Sequence, residues 1–387
     1  MRPLLFVTGH VPAYRAGALA ALHEREGIEV ALFGGRSRHG GADAEGELPF
    51  PHLRASPAEI ALLAARGDYR AVVCSTGGRL ALPAAWAGAR AGRRPVLLWA
   101  SLWAHPRSAA HAFSYLPLRR LYRTADAVVT YGPHVSAYVR ARGARNVHVA
   151  PQSVDNEFWR SREVHPPSDP RWPRVAGARV LFVGRAAPEK GLVPLLAAWS
   201  GVGAKDAALL LAGEGLAAAL RGACPSRLPA GALPAHTRGP GTQAPPPLAL
   251  GALTPVQLRD VYAACDVLVV PSVATATFRE PWGLVVNEAM NRGLAVIASD
   301  AVGAAAGGLV RDGYNGLVVP AGDVASLSGA IELLCREPGL RARLGAAGRE
   351  DVAAYTHEAW ARGFSSALSS LGLSTAVSSR EPARGRW

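Results

Sequence analysis

The chain has 387 residues, of which 49% are hydrophobic and 18% are charged. At roughly 150 residues per domain, these figures predict two globular domains and exclude a single small module, a disordered chain and a collagen-like fibre. The net charge of +13 would suit nucleic acid or an anionic membrane surface and does not choose between them. Only two of the basic residues are lysines, Lys190 and Lys205, so a single arginine is weak evidence for a binding site.

The location of the protein is predicted from what the sequence lacks. No uncharged apolar run approaches the roughly 18 residues of a membrane span, and the apolar start is too short for a signal peptide. The cysteines form no C-x-x-C pair for zinc or thiol exchange; they are Cys74, Cys224, Cys265 and Cys335. We therefore expect a cytoplasmic protein with reduced thiols, either free or at the inner face of the membrane.

The first half alternates short apolar runs with helix-compatible segments such as Ala16–Glu26 and Ser114–Ala125. This alternation predicts a doubly wound parallel sheet of the Rossmann-like α/β class over residues 1–160. The predicted strands are Leu4–Thr8, Val30–Phe33, Ala71–Ser75, Val96–Ala100, Ala127–Thr130 and Val147–Ala150.

A proline-rich stretch over residues 161–178 is typical of a linker, and a second Rossmann-like series follows over residues 179–355. Its predicted strands are Val180–Val183, Ala208–Ala212, Leu248–Leu250, Val267–Val270, Ala295–Ala298 and Leu317–Val319. Residues 223–247 predict a surface loop. A helix within residues 356–373 could cross back to the first domain, and residues 374–387 predict a flexible tail.

The segment over residues 278–293, FREPWGLVVNEAMNRG, carries the clearest chemistry. Pro281 and Gly283 are typical of a tight turn, after which Leu284–Arg292 can form a helix. The amides of Gly283, Leu284 and Val285 would be unpaired at the helix start. Such a helix start attracts phosphate through its free N–H groups and its macrodipole.

Two glutamates accompany that helix start. Glu280 lies in the turn, where its carboxylate can accept hydrogen bonds from hydroxyl groups. Glu288 would lie roughly 7.5 Å along the helix from Gly283, a separation suited to gripping a ribose while the pyrophosphate holds the helix start. The alternative is that both are ordinary solvated turn and helix residues.

A second segment, VLFVGRAAPEKGL, places Arg185 and Lys190 just after a predicted strand. Open α/β sheets bind ligands at the carboxyl ends of their strands, and two cations there can neutralise a diphosphate leaving group. The alternative is an exposed loop with ordinary surface charges, which the rarity of lysine in this chain makes less attractive for Lys190.

These two segments, together with DVYAACDVLVVPS from Asp260 and DGYNGLVVP from Asp312, resemble the family-four retaining glycosyltransferases of GT-B fold, the glycosyl transferases group 1. The resemblance covers about residues 177–360. It implies two Rossmann-like domains facing across a cleft, the first for the acceptor and the second for a nucleotide-diphosphate sugar. It also implies retaining transfer to a hydroxyl of a glycan, a lipid-linked glycan or a small molecule.

The resemblance also implies roles for single residues. Arg185 and Lys190 would bind the donor diphosphate, and Glu280 would contact donor-sugar hydroxyls. The amides at Gly283, Leu284 and Val285 would face phosphate, and Glu288 would hold the ribose. Trp282 departs from the family, in which phenylalanine is common at this position, and could reshape the sugar pocket.

The first half matches the family less specifically. Relatives often place a histidine in the loop after the strand Val96–Ala100, so His105 could contact donor or acceptor; a loop histidine without such a role is the alternative. The loop after the first strand lacks the paired glycines that many members use near the phosphates. Gly9 and Arg15 are possible substitutes.

No D-x-D pair follows a strand, so the sequence shows no carboxylate pair for a divalent metal. We expect Arg185 and Lys190 to supply that charge, in an enzyme that needs neither a metal nor a resident cofactor. The alternative function is a non-catalytic nucleotide-binding or sugar-binding protein of the same fold.

Arginine clusters in the first half suggest one further partner. Arg119 and Arg120 lie beside Leu116, Leu118 and Leu121, a pattern that fits a basic amphipathic helix for an anionic membrane or a lipid-linked acceptor. The alternative is a solvated helix face over an ordinary core. Nucleic acid is not expected, because these clusters lack the interleaved aromatics of a stacking surface.

Overall fold

The computed structural model describes residues 2–34, 48–167, 169–222 and 244–375, apart from the side chains of residues 109–112. The first sheet is parallel throughout and has the strand order β3-β2-β1-β4-β5-β6-β7. Its strands are β1 (Leu4–Thr8), β2 (Ile28–Leu32), β3 (His52–Arg54), β4 (Ala71–Ser75), β5 (Val96–Ala100), β6 (Ala127–Thr130) and β7 (Val147–Val149).

The second sheet is also parallel and has the order β10-β9-β8-β11-β12-β13. Its strands are β8 (Arg179–Val183), β9 (Ala208–Ala212), β10 (Leu248–Gly251), β11 (Val267–Val270), β12 (Ala295–Ser299) and β13 (Leu317–Val319). In both sheets the chain order reverses beside the first strand, as in the Rossmann fold. The predicted class, two doubly wound α/β units, is confirmed.

Helices cover both faces of each sheet. Those before the second sheet are α1 (Ala13–Glu26), α2 (Pro57–Arg66), α3 (Ala81–Ala91), α4 (Ala109–Thr124), α5 (Pro133–Arg140) and α6 (Asn156–Arg160). The later ones are α7 (Leu192–Ser200), α8 (Leu216–Gly222), α9 (Pro255–Ala263), α10 (Val285–Arg292), α11 (Gly303–Ala306), α12 (Val324–Arg336), α13 (Pro338–Asp351) and α14 (His357–Ser369).

The sequence missed one strand and misplaced the start of another. Strand β3 has three residues, two of them exposed, so it has no apolar run to reveal it at the edge of the sheet. Strand β2 begins at Ile28, earlier than the predicted Val30, because Glu29 interrupts the apolar pattern without interrupting the strand.

The last helix, α14, lies on the first sheet. Trp360 and Phe364 are fully buried there, with ring centroids 5.6 Å and 6.2 Å from that of Trp99 on β5. Val154 and Trp159, by contrast, pack in the core of the second sheet, before the boundary that the sequence predicts near residue 160. The chain therefore crosses between the two cores twice.

Some predicted features fall wholly or partly outside the described residues. These are Cys224, most of the loop over residues 223–247, and the tail beyond residue 375. At the start of that tail, the Thr375 amide donates to Glu26 Oε2 at 2.9 Å. Across the described ranges, no helix combines the length and apolarity that a bilayer crossing requires.

Candidate active site at the facing edges of the two sheets

Lys190 is placed by a glycine at the carboxyl end of β8. The chain leaves β8, forms a 3-10 turn over Pro188–Lys190 and then passes Gly191, whose φ is +70°. A Cβ at Gly191 would lie 1.9 Å from the carbonyl oxygen of Pro271, which follows β11. This close approach brings Lys190 to the point between β8 and β11 where the strand order reverses.

Lys190 and Glu280 form a direct ion pair. Lys190 Nζ donates to Glu280 Oε2 at 2.5 Å, and their side chains are 17% and 7% exposed. A buried carboxylate without such a partner would cost several kcal/mol. The ammonium group has three hydrogens, so it can hold Glu280 and still donate to a ligand.

The backbone of Glu280 is held from both halves of the chain. Its carbonyl oxygen accepts hydrogen bonds from the Gly303 amide at 3.1 Å and from Trp103 Nε1 at 3.0 Å. The next carbonyl, that of Pro281, accepts from His134 Nε2 at 3.0 Å. Trp103 lies in the loop after β5 and His134 in the first turn of α5, so two residues of the first unit hold the Glu280 turn across the cleft.

His134 acts there as a neutral donor. Burial lowers the pKa of its imidazole, and the nearby Arg279 charge lowers it further. Because the Pro281 carbonyl can only accept, Nε2 carries the proton. The ring lies 5.0 Å from that of Trp103 and 6.0 Å from that of Trp282. No local motif in the sequence marks Trp103 or His134 as a site residue, although each follows a predicted strand.

The turn before α10 has the predicted form. Gly283 has φ +92°, and the Val286 amide donates to its carbonyl at 3.0 Å. The amides of Gly283, Leu284 and Val285 precede this first intrahelical bond, so none has a partner within the helix. Gly293 ends the helix with φ +78°. A phosphate-attracting helix start therefore lies beside Glu280.

Glu288 lies on α10 behind that start. Tyr262 donates its hydroxyl to Glu288 Oε2 at 2.9 Å, and burial raises the pKa of the Glu288 carboxyl to about 7. The tyrosine hydrogen bond opposes the rise without cancelling it. Glu288 is thus a partly buried hydrogen-bond acceptor, five residues along the chain from Gly283.

Arg185 lies on the same sheet edge but has a different partner. Its Nη2 donates to Glu189 Oε1 at 2.5 Å, and 37% of the side chain is exposed. The structure therefore brings together Lys190 and Glu280, and it leaves Arg185 nearby in an ion pair that a diphosphate could compete for.

His105 lies within the first domain. Its Nδ1 is 3.4 Å from the Tyr138 hydroxyl, and its ring lies 5.0 Å from that of Tyr115. The contacts that reach the Glu280 turn come instead from Trp103 and His134.

Gly9 follows β1 and lines a cavity of about 400 Å³ in the first domain. Tyr14 lines the same cavity. Burial is the main reason that its pKa is raised, and the charge of Glu280 adds to the rise while that of Arg15 opposes it. Ser101 also lines the cavity, and Trp103, two residues later, donates to the Glu280 carbonyl, so the cavity lies close to the Glu280 turn.

Trp282 is 3% exposed, and its Nε1 donates to Asn287 Oδ1 at 2.7 Å. The indole is thereby tied to α10 within the second core. Among the side chains that the structure describes, no cluster of three or more His, Cys, Asp or Glu residues could hold a metal ion.

The match to a known protein family lies in the second unit of the chain. Residues 177–337 match the family model of the glycosyl transferases group 1. The phosphatidyl-myo-inositol mannosyltransferase of Mycobacterium leprae is 36% identical over 187 residues, which are 48% of this chain and 44% of that protein. The D-inositol 3-phosphate glycosyltransferase of Streptomyces bingchenggensis is 40% identical over 92 residues, 23% and 18% of the two chains. The chain thus spans less than half the length of these curated relatives.

Solved structures match over nearly the whole chain. Anabaena Alr3699/HepE, in complex with UDP and glucose, has a TM-score of 0.70 at 20% identity and covers 96% of this chain and 100% of its own. Sucrose-phosphate synthase from Thermosynechococcus elongatus has a TM-score of 0.69 at 21% identity, with 96% and 99% covered. These likenesses show the fold. The two parallel sheets have the GT-B fold of these structures, and the likeness to the glycosyl transferases group 1 family lies in residues 177–337.

Proposed function

We propose that this protein is a glycosyltransferase that uses a nucleotide-diphosphate sugar as its donor. The observation that carries the proposal is the 2.5 Å contact between Lys190 Nζ and Glu280 Oε2, beside the helix start at Gly283. A cation, free amides and an acceptor of hydroxyl hydrogen bonds are thereby gathered where α/β sheets bind ligands.

The donor would lie along α10. Its diphosphate would contact Lys190, Arg185 and the amides at residues 283–285, and its ribose would reach Glu288. Glu280 would accept hydrogen bonds from hydroxyls of the transferred sugar. UDP and glucose in the Anabaena protein of the same fold support a nucleotide-sugar donor.

The proposed reaction retains the anomeric configuration. The acceptor hydroxyl attacks the anomeric carbon from the face that the diphosphate leaves, and a departing phosphate oxygen takes the hydroxyl proton. The new C–O bond replaces the broken one, so no protein nucleophile is needed. Lys190 and Arg185 meet the charge that develops on the leaving phosphate, and this supports a reaction without metal or resident cofactor.

The acceptor would bind in the first domain. Two relatives are named for phosphatidyl-myo-inositol and D-inositol 3-phosphate, which supports an acceptor with a polyol hydroxyl. The cavity that Gly9 and Tyr14 line lies close to the Glu280 turn, because Ser101 on its wall is two residues from Trp103, which contacts that turn; it therefore suits such a group.

Helix α4 supports a peripheral contact with an anionic membrane. Phe113 is 85% exposed and Leu116 is 68% exposed on this helix. Arg119, Arg120 and Arg123 follow on the same helix and line a surface groove with Leu116. Exposed apolar groups beside cations are the features of an interfacial helix. Cosedimentation with vesicles should rise with phosphatidylglycerol content and be lost in Phe113→Ser with Arg120→Glu.

The test of the proposed function has two readouts. Thermal unfolding is measured with UDP, GDP, ADP and dTDP, each with and without magnesium, because a ligand of the folded state raises Tm. We expect one nucleotide to raise Tm without magnesium, and Glu280→Gln to abolish donor consumption while keeping that shift. Nucleotide binding without any donor consumption would favour the non-catalytic binding protein, and no shift with any nucleotide would overturn both functions.

A further inference from the structure

The cavity in the first domain lies at the strand-order reversal of its sheet. Gly9 follows β1 and Gly77 follows β4, and these are the two strands beside which the order reverses. Helix α1 begins at the same cavity, with Pro12 as its N-cap and no side chain capping its amides. The positive end of a 14-residue helix therefore points to this space.

Arg15 is the buried charge of the cavity wall. It is 6% exposed, and its Nη2 donates to Gln152 Oε1 at 2.6 Å. Its Nη1 is buried and has no hydrogen-bond partner among the described residues. Among the residues that the structure describes, no aspartate or glutamate lines the cavity, so none of these groups offsets the guanidinium charge.

The groups around Arg15 are donors as well. Its Cζ lies 5.3 Å from the ring centroid of Trp99 and 5.7 Å from that of Trp360. Both indole N–H groups and the Gln152 side-chain amide nitrogen are buried without partners in the described part of the chain. Buried polar groups are normally paired, so this excess of donors over the one acceptor, Gln152 Oε1, favours an anion or another strong acceptor.

We propose that this cavity binds an anionic group of the acceptor, a phosphate or a carboxylate, through Arg15 and the start of α1. The proposal rests on the proposed transferase function and narrows its acceptor to a small polyol or sugar with one such group. The anion would anchor the acceptor at Arg15, and Ser101 on the same cavity wall is two residues from Trp103, which contacts the Glu280 turn. The free hydroxyl would thereby point to the donor site.

The test compares a charged and an uncharged probe of the same shape. Calorimetry is run with myo-inositol monophosphate and with myo-inositol, each on the full chain saturated with the nucleotide that stabilises it. We expect the monophosphate to bind at least about tenfold tighter, a difference of about 1.4 kcal/mol. Equal affinities would overturn the proposal and leave nucleotide binding and donor consumption untouched.

A matched pair of variants places the anion in the cavity. Gly77 is exposed, and a Cβ built on it meets nothing within 4 Å, so a side chain there should not disturb folding. We expect Gly77→Asp to weaken monophosphate binding at least about fivefold by charge repulsion, and Gly77→Asn to leave it unchanged. Equal effects of the two variants would contradict an anion at this site.

Two further measurements distinguish binding of the acceptor's anion in the cavity from binding of the donor's phosphate at Lys190. Inorganic phosphate should raise Tm in Lys190→Met, whose donor site is impaired, and should not do so in Arg15→Met. Arg15→Lys, which keeps the charge, should restore part of the shift if Arg15→Met is folded poorly. Displacement of phosphate by the nucleotide in Lys190→Met would assign the cavity to the donor and overturn the proposal.

Discussion

The two Rossmann-like units have the same strand order, but they differ in whether the cations at the carboxyl ends of their strands are paired with carboxylates. In the second unit, Lys190 is neutralised by Glu280, and Arg185 by Glu189. In the described part of the first unit, Arg15 has no carboxylate partner, and donors without partners lie near it. The same topology thus carries a compensated site and an uncompensated one, because chemistry depends on the side chains at the edge rather than on the sheet.

The two sites also differ in how the chain assembles them. Lys190 and Glu280 are 90 residues apart and both lie in loops of one sheet. Arg15 and Gln152 are 137 residues apart, and Trp360 comes from a helix that returns to the first sheet at the end of the chain. The first site therefore depends on the double crossing between the units.

The largest expected effect comes from breaking the ion pair between Lys190 and Glu280. Lys190→Met removes the cation that holds Glu280 and faces the leaving phosphate, so transfer should fall by at least about 100-fold. Lys205→Met is the matched control, since Lys205 is the other lysine and is exposed. Initial rates of sugar transfer measure the difference. Equal rates in the two variants would show that Lys190 takes no part in sugar transfer.

A second comparison uses two glycines with similar positive φ and different surroundings. Gly191 and Gly27 have φ of +70° and +62°, but only at Gly191 would a Cβ approach another backbone, 1.9 Å from the Pro271 oxygen. Gly27→Ala should cost about 1 kcal/mol of unfolding free energy. Gly191→Ala should cost more than about 3 kcal/mol and displace Lys190 as well. Urea unfolding measures both losses, and similar values would show that the loop at Gly191 can move aside.

The third prediction concerns the buried carboxyl of Glu288. Its pKa of about 7 lies above the ordinary value, so the folded state binds this proton more tightly than the unfolded chain. The resulting stability is complete at acid pH and is lost as the pH rises through about 7. Glu288→Gln should therefore gain up to about 2 kcal/mol relative to the parent between pH 5 and pH 8.

Urea unfolding at the two pH values measures the gain of Glu288→Gln. Nucleotide affinity should fall in this variant at pH 8, where the parent's carboxylate is ionised and accepts a hydrogen bond from a ribose hydroxyl more strongly than an amide does. Parallel stability profiles for parent and variant would mean that Glu288 is ionised in the folded state at pH 5.

The smallest effect tests the link between the units. Trp103→Phe removes the N–H that donates to the Glu280 carbonyl, whereas the Gly303 amide still holds that oxygen. Transfer should fall about three- to tenfold at unchanged nucleotide affinity, as expected for one hydrogen bond. Trp86→Phe is the control, since the Trp86 N–H has no partner among the described residues. A weaker nucleotide affinity in Trp103→Phe would show that the first unit also shapes the donor site.

The sequence predicted the elements that depend on local pattern. Buried apolar runs defined nearly all strands of both sheets, and Gly283 and Gly293 marked the start and end of α10. These features are readable because a strand buried on both faces and a helix bounded by glycines leave a signal within a few residues. Strand β3, with exposed residues at an edge, left none.

The histidines show where the sequence stops being informative. His105 and His134 both follow strands of the first sheet. Their position after a strand does not show which of them faces the second sheet. Only the packing of the two units places His134 on the Pro281 carbonyl and leaves His105 beside Tyr138. The direction of a loop side chain depends on neighbours that are distant in sequence.

The sequence by itself thus determined two Rossmann-like units and the turn and helix that carry the residues proposed for the donor site, because their signals are local. The tertiary structure alone decided that Gln152 and Trp360 contact Arg15 at the wall of one cavity, and that Trp103 reaches Glu280. The physical reason is that burial and partner choice arise from contacts between segments far apart in the chain. Residue type and spacing carry no record of such contacts.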